Sequence, residues 1–271
     1  LNANFLAAVI ALLMKQKSIA TLSEMERFAY ALERSIRQRS LARNQFLTAK
    51  EESDILFLMR NSVLAGETNE ALWRCFLAAH WGRTSARNEM QISSPARLLC
   101  AFQRSPVWTW ERVSKSPMAF RDWLQSCSSE LARLAFGNHR KYESRKPEKI
   151  WQVVESFVLL ATAHGGPANL VECRDGEFDD PFDEVYRRLR PVWRFGRTGR
   201  FDFLVLLMDA GLISYQPTSS YLKGATGPLK GARLLWGNGL PTKQDARAAE
   251  LAQQLSVSSI VVEDALCNWQ K

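Results

Sequence analysis

Three short segments concentrate the residue types that could do chemistry. In Leu189–Gly211, LRPVWRFGRTGRFDFLVLLMDAG, the cations Arg194, Arg197 and Arg200 surround Gly196 and Gly199 just before a strongly apolar run. A glycine lets the backbone approach a phosphate closely, and a helix starting there aims its N–H groups and the positive end of its dipole at the anion. Tyr221–Gly237, YLKGATGPLKGARLLWG, interleaves Gly224, Gly227 and Gly231 with Lys223, Lys230 and Arg233. It lacks the GxxxxGK[ST] spacing of a Walker loop, and suits a second phosphate clamp, for DNA or for a substrate diphosphate. The plainer alternative is a surface loop punctuated by Pro228. Phe136–Glu143, FGNHRKYE, holds Asn138, His139, Arg140, Lys141 and Tyr142. An amide can read a base edge, an imidazole or phenol can stack on a flipped base, and the Arg-Lys pair can hold phosphate. The same segment also reads as a helix C-terminus with cations at the negative end of the dipole.

The charge supports a polyanionic partner. The chain of 271 residues carries +8 formally, with a pI of about 9.4. From Val185 to Arg233 there are nine cations: Arg187, Arg188, Arg190, Arg194, Arg197, Arg200, Lys223, Lys230 and Arg233. Only Asp202 and Asp209 oppose them, so nine less two leaves +7 in this stretch. Such concentration is the footprint of a nucleic-acid-binding face. The five cysteines are odd in number and form no CxxC pair, and the three histidines are scattered. Neither a disulfide framework nor a metal site is expected, and no cofactor. The expected compartment is the reducing cytoplasm. The apolar run Ala7–Met14 is shorter than the roughly 20 residues a bilayer demands, and reads as a core helix. Nothing points to a membrane or to a protein partner.

Helices must position these segments. Leu22, Met25, Phe28, Ala29 and Leu32 fall three or four apart within 21–38, one apolar stripe behind a Thr21–Glu24 capping box. Residues 51–65, 69–80, 95–103, 117–126 and 128–136 repeat the pattern, with Pro95 and Pro117 suited to first turns. Residues 147–163 begin at a proline and stop at His164-Gly165-Gly166. A further helix is expected over 182–190, while SIVVEDAL near the end is ambiguous between helix and strand. The expected fold is all-α, one compact unit over 1–271 with a soft internal boundary at the Gly-, Pro- and Asp-rich stretch 165–181. Trp108 and Trp110 could wedge into DNA, though core anchoring is the better account of them.

Taken together, FGNHRKYES, FGRTGRFDFL and YLKGATGPLKGARLLWG, in that order, resemble the α-glutamyl/putrescinyl thymine pyrophosphorylases. WRCFLAAHWG, Trp73–Gly82, fits that family's helical N-terminal part, and the likeness covers about residues 60–240. The resemblance implies a helix-hairpin-helix DNA glycosylase-like bundle, and an association with hypermodified pyrimidines of phage DNA. The family name implies group transfer at an activated 5-hydroxymethyl pyrimidine, and the superfamily implies base excision, in which case the protein would serve in defence against phage. A non-catalytic DNA-binding protein with the same basic face is the third reading.

The chain departs from the superfamily pattern at two places. Arg194 stands where the hairpin has its first glycine, and Ser214–Tyr221 has no carboxylate where glycosylases carry one after the hairpin helix. Excision needs a carboxylate to stabilise the oxocarbenium ion or activate water. Asp202 is the candidate, with Asn138 and His139 on the base, and Arg140, Lys141, Arg194, Gly196, Arg197, Gly199, Arg200, Lys223, Gly224, Gly227, Lys230 and Arg233 on the DNA backbone. An N-terminal helix acid paired with Arg197 or Arg200 is the structural alternative for Asp202. If Asn138 and His139 contact the flipped base, Asn138→Ala and His139→Ala will lose activity on modified DNA yet retain most general DNA affinity. Thermal melts showing that both variants unfold would instead favour the helix-cap reading.

Overall fold

The computed structural model describes residues 2–49, 54–81, 94–99, 107–134 and 147–271. Every regular element among them is helical, as the apolar periodicity requires. The order is α1 (Ala3–Lys15), α2 (Leu22–Thr48), α3 (Ile55–Leu64), α4 (Thr68–Trp81), α5 (Ser94–Leu99), α6 (Trp110–Lys115), α7 (Pro117–Ser126) and α8 (Ser128–Ala132). There follow α9 (Pro147–Ala163), α10 (Pro167–Val171), α11 (Pro181–Arg188), α12 (Arg197–Asp209), α13 (Gly227–Trp236), α14 (Pro241–Gln254) and α15 (Ser259–Trp269). Among the described residues no helix is long and apolar enough to cross a membrane.

Local chemistry sets the helix ends. The capping box at α2 is formed: the Thr21 N–H donates to Glu24 Oε2 at 2.7 Å, and the Glu24 N–H donates to Thr21 Oγ1 at 3.3 Å. The Thr21 N–H, with the Thr21 hydroxyl that also donates to Glu24 Oε2 at 2.9 Å, holds the Glu24 carboxyl below its ordinary pKa. Helix α9 stops as its sequence requires. The Gly166 N–H returns to the Ala161 carbonyl at 2.8 Å, while Gly165 and Gly166 take φ of 82° and 133°. Two elements differ from the expectation. Helix α2 runs ten residues past the expected end at 38. The ambiguous SIVVEDAL is helical in α15, where Ile260, Val261, Ala265 and Leu266 are buried.

The contacts group the chain into two compact units, residues 1–44 with 216–271, and residues 45–215. In the first, Val9, Leu13, Phe28, Leu32, Leu235, Leu251 and Leu266 belong to one core drawn from α1, α2, α13, α14 and α15. Its tightest joint is α13 on α15. A Cβ on Gly231 would lie 2.1 Å from the Leu266 carbonyl oxygen, and one on Gly227 2.8 Å from Cys267 Sγ. In the second unit, Trp73, Phe76, Phe157 and Phe203 lie at the centre of a fully buried aromatic core. The stretch 165–181 lies inside this unit and carries α10 between α9 and α11. The Asn69 side chain fixes it by accepting the Ala168 N–H at 2.9 Å.

The α13–α15 joint makes a direct test. Gly231→Ala puts a methyl into backbone that cannot rotate away, so unfolding in denaturant should show a loss of about 1–3 kcal/mol, the usual range for overpacking. Unchanged stability would mean that the two helices do not approach this closely.

Candidate nucleic-acid interface

The segment between α11 and α12 is a helical hairpin. Asp180 caps α11 by accepting the Asp183 N–H at 2.9 Å, and Pro181 fits its first turn. After Leu189 the chain makes consecutive tight turns, Val192 N–H to Leu189 O at 3.2 Å and Phe195 N–H to Val192 O at 3.2 Å. The turn is pinned from α9, whose Ser156 Oγ accepts the Trp193 N–H at 2.8 Å. Arg194 has φ of 55°. It therefore adopts the left-handed conformation that glycine takes without penalty, at the position where the resemblance places one. Gly196, in extended backbone, starts α12, and no side chain of its own caps the first-turn N–H groups. A Cβ on Gly196 would meet nothing within 4 Å, so space lies open there.

The cations around this turn divide by use. Arg187 pairs with Asp183 and Glu184 at 2.9 and 3.0 Å, and Arg188 with Glu184 at 3.1 Å. Asp183 and Glu184 lie just before the Val185–Arg233 stretch, and two of its nine charges are neutralised by them within α11. Arg200 fastens the hairpin itself. Its Nη1 donates to the Tyr186 carbonyl at 3.0 Å, and its guanidinium lies 4.0 Å from the Tyr186 ring centroid. Burial pushes the Tyr186 hydroxyl above its ordinary pKa. Arg197 lies 4.6 Å over the Phe201 ring, and Arg194 5.1 Å over Trp193. Arg190 and Arg194 are exposed and Arg197 half-exposed. Gly199 is buried in the first turn of α12, and Asp202 is half-exposed on the outer stripe it shares with Thr198 and Val205.

The other expected residues fall elsewhere. Asn138, His139, Arg140 and Lys141 lie outside the described residues. Lys223, Gly224, Gly227, Lys230 and Arg233 belong to the unit of residues 1–44 and 216–271, whereas the hairpin belongs to the other. There Lys223 and Gly224 are exposed in a turn with Gly224 at φ 82°, and Lys230 and Arg233 share the exposed face of α13. Gly231 and, in part, Gly227 are explained by packing on α15. Trp108 and Trp110 are core: the Trp73 indole N–H donates to the Trp108 carbonyl at 2.9 Å, and Trp110 packs on Trp73.

Sequence reasoning missed Asp245. Ser214–Tyr221 has no carboxylate of its own, yet α14 supplies one. Asp245 accepts the Ser220 N–H at 2.9 Å, the Leu222 N–H at 3.3 Å and the Ser219 hydroxyl at 3.2 Å. No local spacing signals this, because the residues meet only through the fold. A cleft of about 810 Å³ in the hairpin's unit was also not anticipated; Glu67, Asn69, Glu70, Arg74 and Trp110 help line it. Glu70 is engaged there, pairing with Arg74 at 2.8 Å and accepting the Trp110 N–H at 2.6 Å. None of the described site residues lines that cleft. Among the described residues no three His, Cys, Asp or Glu side chains are grouped to hold a metal ion.

The family described as alpha-glutamyl/putrescinyl thymine pyrophosphorylase, clade 3, matches residues 16–271. The match extends the likeness seen in the sequence through both units. No curated protein and no solved structure matches the chain.

Arg194 yields a test of the hairpin. At a left-handed position Arg194→Gly should be more stable than Arg194→Ala by about 1 kcal/mol, the reverse of their order inside a helix. Denaturant melts in which Ala equals or exceeds Gly would show that the turn does not hold φ near 55°.

Proposed function

Because the chain belongs to the alpha-glutamyl/putrescinyl thymine pyrophosphorylase family, clade 3, we propose that it is an enzyme of modified thymine that takes its base within DNA and displaces pyrophosphate from an activated 5-hydroxymethyl group. The observation that carries the DNA part is the α11–α12 hairpin. A turn held by Arg200 on Tyr186 presents a helix start at Gly196, which has no capping side chain of its own, with Arg190, Arg194 and Arg197 around it. A phosphate there would receive backbone N–H groups, a favourable dipole and positive charge together. In the displacement, an incoming nucleophile bonds to the exocyclic methylene carbon, and the carbon–oxygen bond to pyrophosphate breaks. Lys223, Lys230 and Arg233 are suited to the charge of the leaving diphosphate.

Excision of the base is the second reading, and it rests on carboxylates. Asp202, half-exposed on α12, would stabilise a cationic sugar, and Asp245 is a second carboxylate delivered to the segment that lacks one. The readings separate by product. DNA bearing the diphosphate ester of 5-hydroxymethyluracil, incubated with the protein and an amine nucleophile, should release pyrophosphate without forming abasic sites. Abasic sites that disappear in Asp202→Asn would establish excision instead.

DNA affinity should fall steeply as salt rises, since each phosphate contact releases counterion. Replacing Arg194 and Arg197 by Ala should flatten the plot of log affinity against log salt by about two contacts' worth, a slope change of about 1.8. Binding indifferent to salt would end the nucleic-acid reading.

A further inference from the structure

A protein that opens a DNA stack can do so with an apolar side chain inserted as a wedge, and the two tryptophans that could have served are buried. Other large apolar side chains are exposed, and their surroundings differ. Leu64, at the end of α3, is followed by Glu67, and Arg60 one turn earlier is engaged with the Leu47 carbonyl. Leu240 is 73% exposed and sits in a stretch of opposite character. From Tyr221 to Gln244 the chain has four cations, Lys223, Lys230, Arg233 and Lys243, and no carboxylate. All four are exposed, and Lys230, Arg233 and the exposed Leu234 follow one stripe of α13.

The turn that carries Leu240 is built to hold it out. Gly237 takes φ of 78°, which a side chain would strain, and ends α13. Gln244 from α14 is buried beneath the turn. Its Nε2 donates to the Gly237 carbonyl at 2.6 Å and lies 3.1 Å from where a Gly239 Cβ would be. Pro241 fixes the backbone immediately after Leu240 and opens α14. The connection from α1 to α2 lies against the same turn: Ile19, also exposed, donates its N–H to the Leu235 carbonyl at 2.8 Å, and its Cδ1 lies 3.6 Å from the Gly237 Cβ position. Lys17 in that connection adds another exposed cation. A stiff turn that projects leucine among exposed cations is suited to DNA, whose phosphates meet the cations while the apolar tip enters the base stack.

We infer that Leu240 is a wedge that enters the DNA duplex beside the target base, with Lys230, Arg233 and Lys243 seating the flanking phosphates. The inference rests on the proposed action within DNA. The protein is titrated into a duplex with 2-aminopurine beside a modified thymine, and both fluorescence and binding anisotropy are followed. The wild type should bind and raise the fluorescence several-fold as the probe unstacks. Leu240→Ala should lose most of that rise while its salt-dependent binding persists, and Leu240→Met should restore it. If the wild type does not bind, the DNA reading itself fails, and the wedge with it. If Leu240→Ala binds and unstacks the probe like the wild type, the wedge alone is overturned. If the wild type self-associates in a concentration-dependent way that Leu240→Ala abolishes, with unstacking unaffected, the surface joins two copies and the wedge is again overturned.

Discussion

The second unit depends on the way Phe76 of α4 and Phe157 of α9 lie face to face, with ring centroids 3.9 Å apart and planes within 6°. A stacked pair so close gains little from its own quadrupoles, which favour offset or edge contacts. Its neighbours supply those edges. Phe203 of α12 meets Phe76 at 84° and Phe157 at 82°, and Phe195, at the end of the hairpin turn, meets Phe203 at 69°. Helices α4, α9 and α12 are thus joined to the turn through four buried rings. The hairpin's outer residues owe their placement to this inner cluster, because Phe195 and Phe203 bracket Gly196, Arg197 and Arg200 in the chain.

The first unit solves the same problem with small residues. Gly231 lets α13 press its backbone on α15, and the opposite side of α13 is left to Lys230 and Arg233. A carboxylate then fixes the preceding loop. Asp245 accepts two backbone N–H groups and a serine hydroxyl, and next to them Tyr221 is held at φ 51°. Buried backbone donors need such partners, and a loop without strand or helix bonds must take them from side chains.

In the second unit part of the charge that suggests a nucleic-acid partner serves the fold. Arg187, Arg188 and Arg200 are engaged with Asp183, Glu184 and Tyr186, whereas Arg190, Arg194, Lys223, Lys230 and Arg233 are exposed. Net charge therefore overstates the cations a ligand could use, and the distribution over helix faces is the better guide. Family membership over residues 16–271 fits this picture, since the three segments that carried the resemblance all fall within it.

Periodicity determined the all-α class, the capping box of α2 and the Gly-Gly stop of α9, because each is a local matter of side-chain spacing, hydrogen bonding or backbone freedom within one turn. The three segments, read by residue type alone, also sufficed for the family. Tertiary structure decided what single residues are for. Gly231 reads in sequence as a glycine for phosphate and is in the fold a glycine for helix packing. Arg194 reads as a missing glycine and adopts the glycine's backbone conformation. Asp245 lies 24 residues from Tyr221 and becomes its neighbour's partner only when α14 packs beside the loop. Such assignments depend on which atoms meet across the chain, and a local pattern carries no information about contacts between residues far apart in sequence.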